Sequence, residues 1–162
     1  MQSYRLSKYN PAFRDANGAY ARAEWTSFSD VGGSFGGKIL TLSDYLRVES
    51  LYLDAVEESM RCSGVDSVTL MGLEITSDIP QEMSDYRELF WDGVKLNFEA
   101  ARVVSTFVLR EFAWCKLVGR RDFFIHFGYD YYLYTGGSFK FDLRSRVCGL
   151  YVEDLRSPYL DA

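Results

Sequence analysis

Asp122-Phe-Phe-Ile-His-Phe-Gly-Tyr-Asp-Tyr-Tyr-Leu-Tyr134 is the stretch whose reading decides the fold. Side chains of a strand alternate between its two faces. Phe123, Ile125, Phe127, Tyr129, Tyr131 and Leu133 therefore form one apolar row, which requires a core. Phe124, His126, Gly128, Asp130, Tyr132 and Tyr134 form a second face, aromatic with polar tips, suited to a partly covered surface. The pattern predicts one long central strand over 122–134, bent where Gly128 permits a bulge or a close backbone approach.

Working outward, Gly119-Arg120-Arg121 turns the chain into this strand from a strand over 112–118, and Gly136-Gly137 turns it out again. Arg146 to Glu153 alternates as a last strand, followed by a tail of Pro158, Tyr159 and Leu160 laid on the surface. Thr41 to Cys62 has the clearest helical period. Thr41 or Ser43 serves as N-cap, Asp44 sits in the first turn, and Gly64 is a left-handed stop. Its predicted buried stripe is Leu42, Tyr45, Leu46, Tyr52, Leu53, Val56 and Met60, with Asp54, Glu57 and Glu58 outside. A second helix spans 97–110, with Asn97 as cap and Phe98, Ala101, Val104 and Val108 inward. Strands are also expected over 3–8, ended by Asn10-Pro11, and over 65–75. The order predicts one α+β domain over 1–162, with a mostly antiparallel sheet and two main helices packed on one face.

A chain of 162 residues can bury a sizeable core without metal or disulfide help. Its net charge of −5 argues against nucleic acid or an anionic membrane as the main partner, since both reward Lys and Arg; a basic protein surface fits better. Cys62, Cys115 and Cys148 show neither disulfide-framework nor zinc spacing, and are read as reduced thiols, at least two of them buried. With no signal-like or membrane-length apolar run, the expected location is the cytoplasm.

Chemistry is sparse. Gly32 to Lys38 matches a phosphate-loop pattern, but Ile39 stands where a hydroxyl should hold magnesium. Gly32-Gly33-Ser34-Phe35-Gly36 matches a nucleophile elbow without the parallel sheet that gives the motif meaning. His126 and Asp130, four apart on one strand, would lie about 13 Å apart, too far for a direct hydrogen bond in a Ser34–His126–Asp130 triad. The tyrosines at 129–134 could stack bases, but they lack a basic surround. No carboxylate set has EF-hand spacing. No catalytic residue, metal or cofactor is expected. One enzyme-like or ligand-binding alternative is kept, a pocket between the long 12–38 loop and the 122–134 strand, lined by Trp25, His126, Asp130 and Tyr132.

The stronger signal lies between 78 and 92, where Asp78, Glu82, Asp85, Glu88 and Asp92 face a single Arg87 and are interleaved with large anchors including Tyr86 and Trp91. Carboxylates mixed with amphipathic aromatics suit a protein-binding surface. The helix face of Asp54, Glu57 and Glu58 is a second candidate. Lys8-Tyr9-Asn10-Pro11, Glu24-Trp25-Thr26-Ser27-Phe28-Ser29-Asp30-Val31-Gly32 and Phe127-Gly128-Tyr129-Asp130-Tyr131-Tyr132-Leu133-Tyr134 resemble the small bacterial immunity proteins of polymorphic-toxin and contact-dependent inhibition systems. That resemblance implies a cytoplasmic inhibitor of one cognate toxin domain. A nuclease, basic because its substrate is a polyanion, is the toxin class an acidic inhibitor suits.

Overall fold

In the computed structural model, which describes residues 1–162, the elements in order are β1 (Gln2–Ser7), β2 (Ser34–Phe35), β3 (Lys38–Ile39), α1 (Leu42–Ser63), β4 (Val68–Ile75), α2 (Gln81–Ser84), β5 (Lys95–Leu96), α3 (Phe98–Leu109), β6 (Ala113–Val118), β7 (Phe124–Phe127), β8 (Leu133–Gly137) and β9 (Tyr151–Asp154). Seven strands form one antiparallel sheet in the order β5-β4-β6-β7-β8-β1-β9; β2 and β3 pair separately as a small hairpin. The architecture is α+β, as the element order predicts. No helix is long and apolar enough to cross a membrane.

The aromatic stretch is a hairpin and not one strand. Asp130 (φ 57°) and Tyr131 (φ 64°) adopt the left-handed conformation, and the Gly128 N–H donates to Tyr132 O across the turn at 2.8 Å. Left-handed backbone costs a non-glycine residue about 1–2 kcal/mol, so the surroundings must hold it. Here they do: the Tyr131 ring is buried, its hydroxyl donates to Tyr45 Oη at 2.9 Å, and its carbonyl accepts from the Tyr52 hydroxyl at 2.8 Å. Gly128 supplies the expected close approach, since a Cβ there would lie 2.8 Å from Tyr134 Cε2. Tyr129 leaves the predicted core row and is 85% exposed at the tip of the turn.

The apolar row survives the reversal because antiparallel register pairs its members. Leu6, Leu133 and Phe127 are register neighbours, as are Ile125, Leu117 and Leu70, and all six belong to the core beneath α1 and α3. The opposite face carries Lys116, His126, Tyr134, Arg5 and Glu153 in one row across five strands. The chain's last residues lie over it, as expected for a surface-hugging tail: Ser157 Oγ is 2.8 Å from His126 Nδ1, and Lys116 Nζ donates to Tyr159 O at 3.0 Å.

Both helices begin where their caps predict. Thr41 Oγ1 accepts from Asp44 N, Asn97 Oδ1 accepts from Ala100 N, and Gly64 (φ 65°) ends α1. The buried stripe of α1 differs from expectation at Leu42 and Leu46, which are exposed, and at Glu49, which is only 4% exposed. Glu49 is tolerated there because the Arg110 guanidinium, at the end of α3, grips it with two hydrogen bonds of 2.7 and 2.8 Å. Such a pair locks α1 to α3. Further differences are local. Gly136 and Gly137 lie inside β8 and not in a turn. The last strand is confined to 151–154, since Gly149 (φ 78°) turns the chain before it, and β4 begins at Val68. Cys62 and Cys115 are buried and Cys148 is exposed; all three are free thiols.

Removing one partner of a buried ion pair strands the other's charge, whereas replacing both need not. Arg110→Met is expected to lower the unfolding free energy in urea by about 3 kcal/mol, and the double variant Glu49→Met/Arg110→Met to recover at least half of that loss. A single-variant loss below about 0.5 kcal/mol would show that the pair does not hold the helices together.

Candidate interaction surface

β4 is interrupted at Gly72 (φ 66°), where one extra residue shifts the register against β6 between Met71 and Glu74. Because β5 pairs only with Val68 and Thr69, the later half of β4 runs along the margin of the sheet. Asp92 touches that margin by accepting Leu73 N–H at 2.8 Å. From Ile75 the chain leaves the sheet, forms α2 and a 3-10 turn over Arg87–Leu89, and returns at Gly93. Met83 and Phe90 pin this excursion to the body, with Phe90 packed edge-on to Phe107 of α3.

The pinning leaves the remaining side chains outward. Asp78, Glu82, Asp85, Glu88 and Asp92 are all exposed, and none forms a salt bridge. Among them stand Ile79, Tyr86 and Trp91, the last 55% exposed with its indole N–H donating to Glu88 O at 3.0 Å. The excursion thus leaves all seven predicted contact residues of this segment exposed. Uncompensated like charges weakly disfavour the isolated fold and attract an opposite partner.

The second predicted cluster differs in kind. Asp54 and Glu57 share Arg102, at 2.7 and 3.7 Å, and Arg61 bridges Glu57 and Glu58. Two guanidiniums offset three carboxylates, so this helix face is an ion-pair network linking α1 to α3.

The predicted pocket of Trp25, His126, Asp130 and Tyr132 is not assembled. Trp25 is buried against Tyr45 and Tyr131 on the helix side of the sheet. His126 lies on the other side, stacked on Phe124 beneath the tail. Asp130 offers its backbone carbonyl to the Tyr9 hydroxyl at 2.7 Å, and Tyr132 accepts from Arg14 at 2.9 Å. The three principal cavities are lined by none of the four residues. Ser34, on the β2–β3 hairpin, is exposed and takes no part with His126 or Asp130.

The stretches that carry the resemblance meet in space and hold the fold. Lys8 Nζ stands 4.0 Å from the Trp25 ring centroid, 4.3 Å from that of Tyr9, and 3.1 Å from Glu24 Oε1 without the alignment of a hydrogen bond. Burial pulls the Lys8 ammonium down to about 8, with Glu24 offsetting part of the shift. Asp30 Oδ2 accepts from Thr26 N and Ser27 N, tying the 24–32 segment to itself.

A separate groove, not anticipated from the sequence, opens beside the excursion with a volume of about 600 Å3; Glu74, Ile75, Glu111, Trp114, Tyr129 and Tyr159 are among its lining residues. Its walls come from residues distant in sequence, so no local pattern could announce it. Comparison with protein-family models, curated proteins and solved structures finds no match for this chain.

Burial, with a smaller contribution from nearby Lys116, pulls His126 down to about 4 from the ordinary 6.5. The unfolded chain therefore binds more protons than the folded one between those values, so folding stability is full above pH 6.5 and falls as pH drops towards 4. The urea midpoint of the protein should decline across this window, and that of His126→Asn by measurably less. Equal declines would remove His126 as the acid-sensitive group.

Proposed function

We propose that this protein is a cytoplasmic immunity protein that binds a cognate toxin domain through the acidic excursion over 78–92 and blocks its action, without making or breaking bonds itself. The observation that carries the reading is the contrast between two acidic clusters. The carboxylates of 78–92 are exposed, unpaired and interspersed with Ile79, Tyr86 and Trp91, while those of Asp54, Glu57 and Glu58 are engaged by Arg61 and Arg102.

The chemistry of the surface specifies the partner. Unpaired carboxylates speed the approach of a basic protein, and aromatic anchors supply the short-range energy once water is displaced. A nuclease toxin, basic because it grips a polyanion, presents the complementary face. An inhibitor of this kind needs no cofactor, metal, nucleic acid or membrane.

The test is to co-express the C-terminal domain encoded by the neighbouring open reading frame. This protein is expected to bind it and restore growth. A non-toxic neighbour together with turnover of a small molecule by the purified protein would overturn the reading.

Asp85→Lys/Glu88→Lys should leave the circular dichroism spectrum unchanged and weaken binding to that domain at least about tenfold at low ionic strength, with a smaller deficit as salt rises. Unchanged affinity would exclude this segment from the interface.

A further inference from the structure

The groove at the open end of the sheet has a chemistry of its own. Its lining is largely aromatic, with Trp114 packed against Tyr159 and Tyr129 nearby, and it includes the exposed carboxylates of Glu74 and Glu111. Neither carboxylate has a salt-bridge partner; Glu111 Oε2 receives only a long 3.5 Å contact from the Ser27 hydroxyl. A volume of about 600 Å3 falls in the range of sites that enclose a side chain or small ligand.

Two left-handed backbone sites border the groove. Glu111 follows the end of α3 with φ 64°, a position where glycine would be relaxed. Tyr129 is held outward by the adjoining left-handed pair Asp130 and Tyr131, at 85% exposure.

Aromatic faces attract cations, and paired carboxylates orient a planar guanidinium through two-point hydrogen bonding. We infer that this groove receives an arginine side chain of a basic protein partner, seated against its aromatic lining of Trp114, Tyr129 and Tyr159 and held by Glu74 and Glu111. Glu74 and Ile75 lead directly into the excursion, so the groove is continuous with the acidic surface. The inference rests on the proposed toxin-binding role for the partner's identity, and the arginine chemistry can be tested without that partner.

The test titrates the full chain with acetyl-arginine-amide, following the tryptophan indole N–H signals by NMR, with acetyl-citrulline-amide as the neutral isostere. Trp114 should shift saturably with the arginine probe in the millimolar range, Trp91 should not, and citrulline should have no saturable effect. Glu74→Gln/Glu111→Gln should weaken arginine binding about tenfold or more. Glu111→Gly removes one carboxylate while relieving the left-handed backbone, so it should raise the melting temperature and weaken arginine binding together. No saturable Trp114 shift, equal binding of citrulline, or undiminished arginine binding by the double variant would overturn the inference. Such a failure leaves the role of Asp85 and Glu88 standing. Conversely, an unchanged toxin affinity in Asp85→Lys/Glu88→Lys would leave arginine binding in the groove intact.

Discussion

The fold depends on the buried ring of Tyr131. Its hydroxyl meets Tyr45 of α1, its carbonyl accepts from Tyr52 about two helical turns further along, and Trp25 packs edge-on against it. These contacts hold two consecutive non-glycine residues, Asp130 and Tyr131, in left-handed conformation. That reversal makes β7 and β8 neighbours, and β8 in turn receives β1 and then β9. The Tyr52 hydroxyl also accepts from Lys8 N–H at 2.8 Å, so the knot reaches the start of the irregular region as well. A hydroxyl buried without partners would cost more than it gains; here the Tyr52 hydroxyl both donates and accepts, Tyr131 donates to Tyr45, and the network specifies one arrangement.

Much of the secondary structure could be read from the residues because its causes are local. Thr41, Asn97 and Gly64 act through their own backbone, and helix ends placed by such caps agree with the structure within a residue or two. The alternation within 122–134 correctly sorts Ile125, Phe127 and Leu133 from His126 and Tyr134, yet it cannot distinguish one long strand from a tight hairpin. In both cases odd residues share a face, because Phe127 pairs with Leu133 and Ile125 with Thr135. The deciding factor is the contact of Tyr131 with α1, many residues away. The burial of Glu49 could not be read for the same reason: its partner Arg110 lies sixty-one positions on.

The candidate interaction surface was legible in composition and illegible in electrostatic state. Acidic residues at 54–58 and at 78–92 look alike as letters. What separates them is tertiary: α3 brings Arg102 against the first cluster, while the carboxylates of the second form no salt bridge, even with Arg87 among them. Charges already paired at a surface contribute little to a new partner, since binding must first break or share the existing contact. Unpaired charges beside exposed apolar side chains retain both their field and their area, and the groove at Glu74 and Glu111 extends the same character to the end of the sheet.

The central claim is that this margin, and not the helix face, meets the partner. Hydrogen–deuterium exchange on the complex with the proposed partner domain tests it most directly, because it reports the contact region without altering any residue. The account predicts slowed exchange over 74–92 and at 111–114, with 54–61 unchanged. Protection confined to 54–61, or absent from 74–92, would contradict it.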